Sequence, residues 1–145
     1  PLAQRVEHRD LERAPLPGFE RIPDLVAQQR SAGFEVELRE QDDDWRPPPP
    51  AVGRAAYRIA QEALSNAARH GSGRAELLLC HHIDRLEMTV LNPIAAKSAE
   101  PRTGGGLGLV GMRERAQLLG GSLEAGCNDD RFRVHAVLPY GWVRE

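Results

Sequence analysis

Hydrophobic and polar positions follow a helical period in three segments of this chain. From Ala51 to His70 the apolar residues recur at positions 52, 55, 56, 59, 63, 64 and 67, which predicts a long amphipathic helix. The segment from Phe19 to Gly33 has apolar residues at 22, 25 and 26, and its final glycine is a natural stop. A third helix is predicted from Leu107 to Gly121. Residues 2–13 are polar and compatible with a further helix.

Alternation of apolar and polar residues predicts the strands. The first covers 34–40, where apolar side chains alternate with charged ones. Strands at 74–83 and 85–92 are predicted to form a hairpin that turns at Asp84 and Arg85. Strands at 122–127 and 131–140 form a second hairpin over residues 128–130.

This order of elements predicts an α+β fold. Strands joined by short turns favour a two-layer α/β sandwich, in which a mixed, mostly antiparallel sheet is covered on one face by helices. Between the two hairpins lies a polar segment, Pro93 to Gly106, rich in proline and glycine and without periodicity. A loop of this length inside a compact domain is usually functional.

Composition narrows the class of protein. The 145 residues are 41% hydrophobic, enough for the core of one domain. A net charge of −2 does not favour nucleic-acid binding, and we expect no direct contact with nucleic acid. The start of the chain has no initiator Met and no signal-peptide pattern, so we expect a fragment of a longer protein. The two cysteines, Cys80 and Cys127, are too isolated for a zinc site, which favours reduced thiols in a cytoplasmic domain.

A glycine-rich segment opens the third predicted helix. Five of the fourteen glycines fall within 104–111, and 106–111 fits G-x-G-x-x-G. The dinucleotide-binding interpretation requires a buried strand directly before this pattern, and the preceding residues are polar. A P-loop requires glycines directly upstream of a lysine that is followed by Ser or Thr, and the Lys97-Ser98 pair of this chain has no such glycine. Two interpretations stay open: a backbone cradle for an anion at a helix N-terminus, or a flexible turn capped by glycine.

A polar stripe runs along the predicted helix 51–70. Glu62, Asn66 and His70 are four residues apart, and Arg69 lies beside the last of them. Most such stripes are solvated faces. However, asparagine is a mediocre residue for a helix interior, and its amide oxygen is a fair ligand for magnesium. Glu62 would then orient or deprotonate an attacking group, and Arg69 or His70 would meet phosphate charge.

Two segments together resemble a known family. "YRIAQEALSNAARHG", residues 57–71, is similar to the asparagine box of bacterial sensor histidine kinases. "GGGLGLVGMRERAQLLGGSLEAG", residues 104–126, resembles their second glycine box, in the wording of the subfamily paired with LuxR-type response regulators. The resemblance covers about residues 48–140. It implies the Bergerat ATP-binding fold of the GHKL superfamily, with a mobile lid over ATP.

The resemblance also implies roles for individual residues. Asn66 would be the magnesium ligand and Glu62 the catalytic acidic residue, with Arg69 and His70 in the basic positions of the box. The phosphate groups of ATP would be held by the glycine-rich segment, namely by Gly104, Gly105, Gly106, Leu107, Gly108, Leu109 and Gly111.

The chain departs from the family pattern in its first glycine box. The family has D-x-G-x-G after a strand, and this chain has "LNPIAAK", so that Asn92 falls where the adenine-reading aspartate is expected and both glycines are missing. The amide oxygen of Asn92 can still accept a hydrogen bond from adenine, although the residue adds no charge. The alternative is that Asn92 and Pro93 merely end a strand.

The phospho-acceptor histidine of the family is also missing from its usual context. His8 is the only histidine ahead of the domain, and it is followed by arginine instead of the usual acidic residue. We therefore expect residues 1–17 to be the end of a dimerisation helix or a linker, and 18–145 to be the catalytic domain.

The favoured function is Mg²⁺-dependent transfer of the ATP γ-phosphoryl to a histidine on a separate dimerisation domain. The implied partners are that domain, a response regulator with a LuxR-type DNA-binding domain, and a second copy of the parent, which can be membrane-anchored. Two alternatives remain: a GHKL serine kinase of the anti-sigma type, and a non-catalytic nucleotide-binding module. The segment "GMRER" argues against the first, and the presence of both Glu62 and Asn66 argues against the second.

Overall fold

The computed structural model describes residues 16–42, 46–94 and 108–141. A short 3-10 turn, Phe19–Arg21, leads into helix α1, Ile22–Ser31. Helix α2 is Pro50–His70 and helix α3 is Leu109–Leu118. The strands are β1 Glu35–Asp42, β2 Arg74–His81, β3 Arg85–Pro93, β4 Ser122–Asn128 and β5 Arg131–Pro139. No helix in these ranges is long and apolar enough to span a membrane.

The five strands form one sheet in the order β1-β2-β3-β5-β4. Strand β1 pairs with β2 in parallel, and the other three pairs are antiparallel. The parallel pair arises because the long helix α2 connects β1 to β2 and returns the chain to the same end of the sheet. The prediction of a mixed, mostly antiparallel sheet is confirmed.

The core lies between the helices and one face of the sheet. Every second residue of β2 and β3 is buried, and the residues between them are only half-buried, as expected when helices cover one face. Helix α2 crosses the middle of this face and contacts β2, β3 and β5. Its buried residues include Val52, Ala56, Ile59, Ala60, Ala63, Leu64 and Ala67, close to the predicted apolar stripe.

Two predicted boundaries are wrong. The hairpin turns at residues 82–84 instead of at Asp84 and Arg85, because β2 ends at His81 and not at residue 83, whereas the predicted start of β3 at Arg85 is confirmed. Pro93 belongs to β3 instead of opening the long loop, since it pairs with Arg131. Pairing with β5 thus extends β3 beyond the point where the local pattern ends. Residues 2–13 and 95–107 lie outside the described residues.

Candidate functional site

Helix α2 buries the central residue of its polar stripe. Asn66 is only 4% exposed, whereas Glu62 and His70 are half-buried. A buried amide is costly unless it is hydrogen-bonded, and Asn66 Oδ1 accepts a hydrogen bond of 2.8 Å from Arg69 Nη2. The interpretation as a solvated face is therefore wrong at Asn66, because this side chain is buried.

The start of α3 meets this stripe at Glu62. Gly108 is the N-cap residue of α3 and has a left-handed backbone, with φ of 64°. A methyl group added at Gly108 would lie 2.9 Å from Glu62 Oε2, so the backbone of Gly108 and the carboxylate of Glu62 are close neighbours. The fold thus brings Gly108, at the start of α3, to the asparagine-bearing stripe.

Helix α3 begins without a side-chain cap. Its first internal hydrogen bond runs from Met112 N to Gly108 O, and within the described ranges no side-chain cap is found at Gly108. Such N–H groups and the positive end of the helix dipole favour an anion. Gly108 and Gly111 are exposed and Leu109 is half-buried against the core. The other predicted phosphate-binding residues, Gly104 to Leu107, lie outside the described residues.

A second buried amide lies at the end of β3. Asn92 is 4% exposed and its Nδ2 donates to Pro93 O at 3.2 Å. Because a carbonyl can only accept, this contact determines which end of the amide is the nitrogen. A methyl group at Gly71 would lie 2.6 Å from Asn92 Nδ2, so the amide packs directly against the residue that follows α2.

Sequence reasoning missed the residues that surround Asn92. Ser72 donates to the same Pro93 oxygen from both its backbone N–H (3.3 Å) and its Oγ (3.2 Å). Phe132 lies opposite Asn92 in the β3–β5 ladder and packs against the core. The position of Gly71 directly after a predicted helix could have singled it out, whereas no local sequence pattern distinguishes Ser72 or Phe132.

The donor chemistry of the stripe fits magnesium. Mg²⁺ prefers oxygen ligands, takes few from protein and keeps several waters or phosphate oxygens. Asn66 Oδ1 and the carboxylate of Glu62 are such donors, one helical turn apart. Within the described ranges no group of three or more His, Cys, Asp or Glu side chains is arranged to hold a metal. A magnesium ion at Asn66 would therefore take most of its ligands from water and nucleotide.

Comparisons with known proteins identify the family. The sequence matches no protein-family model. It is 32% identical over 132 residues to the signal transduction histidine-protein kinase/phosphatase UhpB of Salmonella typhimurium, covering 84% of this chain and 26% of that protein. It is also 32% identical over 111 residues to the sensor histidine kinase YxjM of Bacillus subtilis, covering 73% of this chain and 26% of that protein. The chain belongs to the sensor histidine kinase family.

Solved structures agree with this family at the level of fold. The catalytic domain of histidine kinase ThkA superposes with a TM-score of 0.59 at 13% identity, over 83% of this chain and 92% of that one. The mycobacterial sensor histidine kinase MprB gives 0.58 at 21% identity, over 83% and 93%. These likenesses concern the fold alone, and this chain spans about a quarter of the length of the two relatives.

Proposed function

We propose that this domain transfers the γ-phosphoryl group of ATP, with magnesium, to a histidine on a dimerisation domain of the same parent protein. The observation that carries the proposal is the contact of Gly108, at the start of α3, with Glu62, one helical turn from the buried Asn66. This contact supports the proposal because it joins a helix N-terminus to an acidic side chain, one helical turn from an amide oxygen of the kind that magnesium takes as a ligand. Phosphoryl transfer depends mainly on positioning and on stabilising charge, which these groups supply.

Each residue has a role in this proposal. Asn66 binds magnesium, which neutralises phosphate charge, while Arg69 and His70 contact the phosphate groups. The N–H groups at the start of α3 and the glycines before it hold the phosphate chain. Asn92 accepts a hydrogen bond from adenine. Glu62 orients the acceptor imidazole or removes its proton as the phosphorus–nitrogen bond forms and the phosphorus–oxygen bond to ADP breaks.

The proposal extends to the parent protein. The names of the two relatives support a sensor kinase. We infer from the family resemblance that the parent dimerises and passes phosphate to a response regulator, and we assign the regulator a LuxR-type DNA-binding domain because of the sequence of residues 104–126. We place the catalytic domain in the cytoplasm, where ATP is available, and we assign residues 1–17 to the end of a dimerisation helix or to a linker.

Calorimetric titration with ADP and a non-hydrolysable ATP analogue, with and without Mg²⁺, tests the nucleotide site. We expect binding that magnesium strengthens, and we expect Asn66→Ala to lose most of that strengthening, at least tenfold or about 1.4 kcal/mol. Gln61→Ala is the matched control, since Gln61 lies on α2 and bonds only the exposed Arg58 among the described residues. Absence of binding at millimolar nucleotide would contradict the proposal. Unchanged magnesium dependence in Asn66→Ala would remove Asn66 from the site.

A transfer assay tests the chemistry. Addition of the dimerisation domain from the parent protein and ATP should produce acid-labile phosphohistidine on that domain. Nucleotide binding without transfer would favour the non-catalytic module, for which the replaced adenine-reading residue at Asn92 is the support. Acid-stable phosphoserine on a partner protein would favour a serine kinase of the anti-sigma type.

A further inference from the structure

Arg69 forms a hydrogen bond with the oxygen atom, Asn66 Oδ1, that the proposed function assigns to magnesium as a ligand. Its Nη2 donates to Asn66 Oδ1 at 2.8 Å, and the two residues are three apart on α2. Asn66 is buried and Arg69 is exposed, so the guanidinium lies on the solvent side of the amide. A cation arriving from solvent therefore meets Arg69 beside the oxygen.

The guanidinium and a metal ion are electrostatically incompatible at this oxygen. An amide oxygen has lone pairs for two partners, so the conflict is one of charge and not of space. Arginine stays protonated at any working pH, so a change of pH does not remove the repulsion. An anion does remove it, because phosphate oxygens accept paired hydrogen bonds from a guanidinium and are stronger acceptors than a neutral amide.

We propose that Arg69 excludes magnesium from Asn66 until the phosphate groups of the nucleotide draw the guanidinium away. This inference rests on the proposed function, since it takes the phosphate chain to lie between α2 and the start of α3. The contact of Gly108 with Glu62 puts an anion-favouring helix end next to the stripe that carries Arg69. Its exposed side chain has room to exchange one acceptor for another. Magnesium then enters the site together with nucleotide.

A purely structural role for Arg69 makes the opposite prediction. If Arg69 only orients the amide, its loss weakens magnesium binding, and magnesium strengthens nucleotide binding less. If Arg69 competes with magnesium, its loss removes a phosphate contact but also removes the repulsion. In that case the variant binds nucleotide more weakly than the wild type without metal, and magnesium increases the affinity of the variant by a larger factor.

The experiment compares the Kd of ADP with and without Mg²⁺ in the wild-type domain and in Arg69→Met. We expect the metal-free Kd to rise at least tenfold and the ratio of metal-free to metal-containing Kd to increase several-fold. Arg69→Lys keeps the charge and should retain most of the wild-type ratio. A ratio that falls or stays unchanged in Arg69→Met overturns the inference, as does a ratio in Arg69→Lys equal to that in Arg69→Met.

Arg58→Met is the matched control. Arg58 Nη1 donates to the amide oxygen of Gln61 at 3.2 Å, so it makes the same kind of contact on the same helix, but to an amide that the proposed function does not use. The ratio of metal-free to metal-containing Kd in Arg58→Met should equal that of the wild type, and a change as large as that in Arg69→Met overturns the inference.

Thermal unfolding verifies that each variant is folded, and Arg69→Gln replaces Arg69→Met if the latter does not fold. If the wild-type domain binds no ADP under either condition, the proposed function fails. If it binds ADP with magnesium dependence but the ratio in Arg69→Met does not rise, only this inference fails.

Discussion

At the residue scale, the two features that most distinguish the candidate site are the buried side-chain amides of Asn66 and Asn92. Both are 4% exposed, and both make hydrogen bonds: Asn66 Oδ1 accepts from Arg69, and Asn92 Nδ2 donates to Pro93 O. A charged side chain at either position would lose its hydration on burial, and this desolvation would cost free energy at a site that now holds a neutral amide. The chain is therefore adapted to asparagine at position 92, where the family pattern has aspartate.

This adaptation predicts that restoring the family residue harms the domain. In Asn92→Asp the carboxylate cannot donate to Pro93 O, and it places negative charge beside that carbonyl. We expect a loss of about 1–3 kcal/mol in the free energy of unfolding, measured by urea denaturation. Asn128→Asp is the control, because Asn128 is exposed at the end of β4 and should tolerate the change. Equal stability of Asn92→Asp and the wild type would disprove the role of the Pro93 contact.

At the element scale, the contact between α2 and the start of α3 assembles the site. Helix α3 packs its buried Met112 and Ala116 into the core, and this packing brings Gly108 to Glu62. Hydrophobic packing of α3 thus positions a polar contact that the pattern of either helix alone does not reveal. A side chain at Gly108 would disturb this contact in two ways.

We expect Gly108→Ala to destabilise the domain and to weaken ADP binding. Its φ of 64° is unfavourable for alanine, at a cost of about 1 kcal/mol, and the new methyl group would displace the Glu62 carboxylate. Gly126→Ala provides the comparison, because Gly126 has no atom within 4 Å of the added methyl group, and it should be neutral or slightly stabilising. Urea denaturation and calorimetry measure the two effects. The contact has no role if the two variants behave alike.

At the scale of the whole molecule, the sheet face away from the helices carries its own charge cluster. Glu87 lies 2.9 Å from His82 Nε2, 3.2 Å from His135 Nε2 and 3.2 Å from Arg85 Nε. Burial by itself would raise the pKa of Glu87, but the charges of Arg85, His82 and His135 outweigh it and hold the pKa below 4.5. This cluster joins the turn between β2 and β3 to strands β3 and β5, and it therefore concerns the stability of the sheet.

The lowered pKa predicts a specific acid dependence of stability. At pH values between the pKa of Glu87 in the folded state and 4.5, the folded protein binds fewer protons at Glu87 than the unfolded protein does. The contribution of Glu87 to the free energy of unfolding is therefore complete above pH 4.5 and is lost as the pH falls through the pKa of the folded state. Glu87→Gln should lower the free energy of unfolding at pH 7, on the order of 1 kcal/mol, and flatten its fall below pH 4.5. Urea unfolding from pH 3 to 7 measures both, with the exposed Glu114→Gln as control. An unchanged acid profile in Glu87→Gln would contradict this account.

Local pattern was sufficient for the elements and for the polar stripe. The periods of helix and strand depend only on neighbouring residues, so α2, the two hairpins and the positions of Glu62, Asn66 and Asn92 could be predicted from the chain alone. Boundaries were less predictable, since Pro93 becomes a strand residue only through pairing with Arg131 of β5.

Contacts between distant segments required the folded molecule. Whether Asn66 was solvated or buried, whether the glycine-rich segment reached Glu62, and which atom Arg69 contacts all depend on how α2, α3 and the sheet pack. The same is true of Ser72 and Phe132 beside Asn92. A sequence specifies such contacts only through the combined packing of the whole core, which no single segment's periodicity contains.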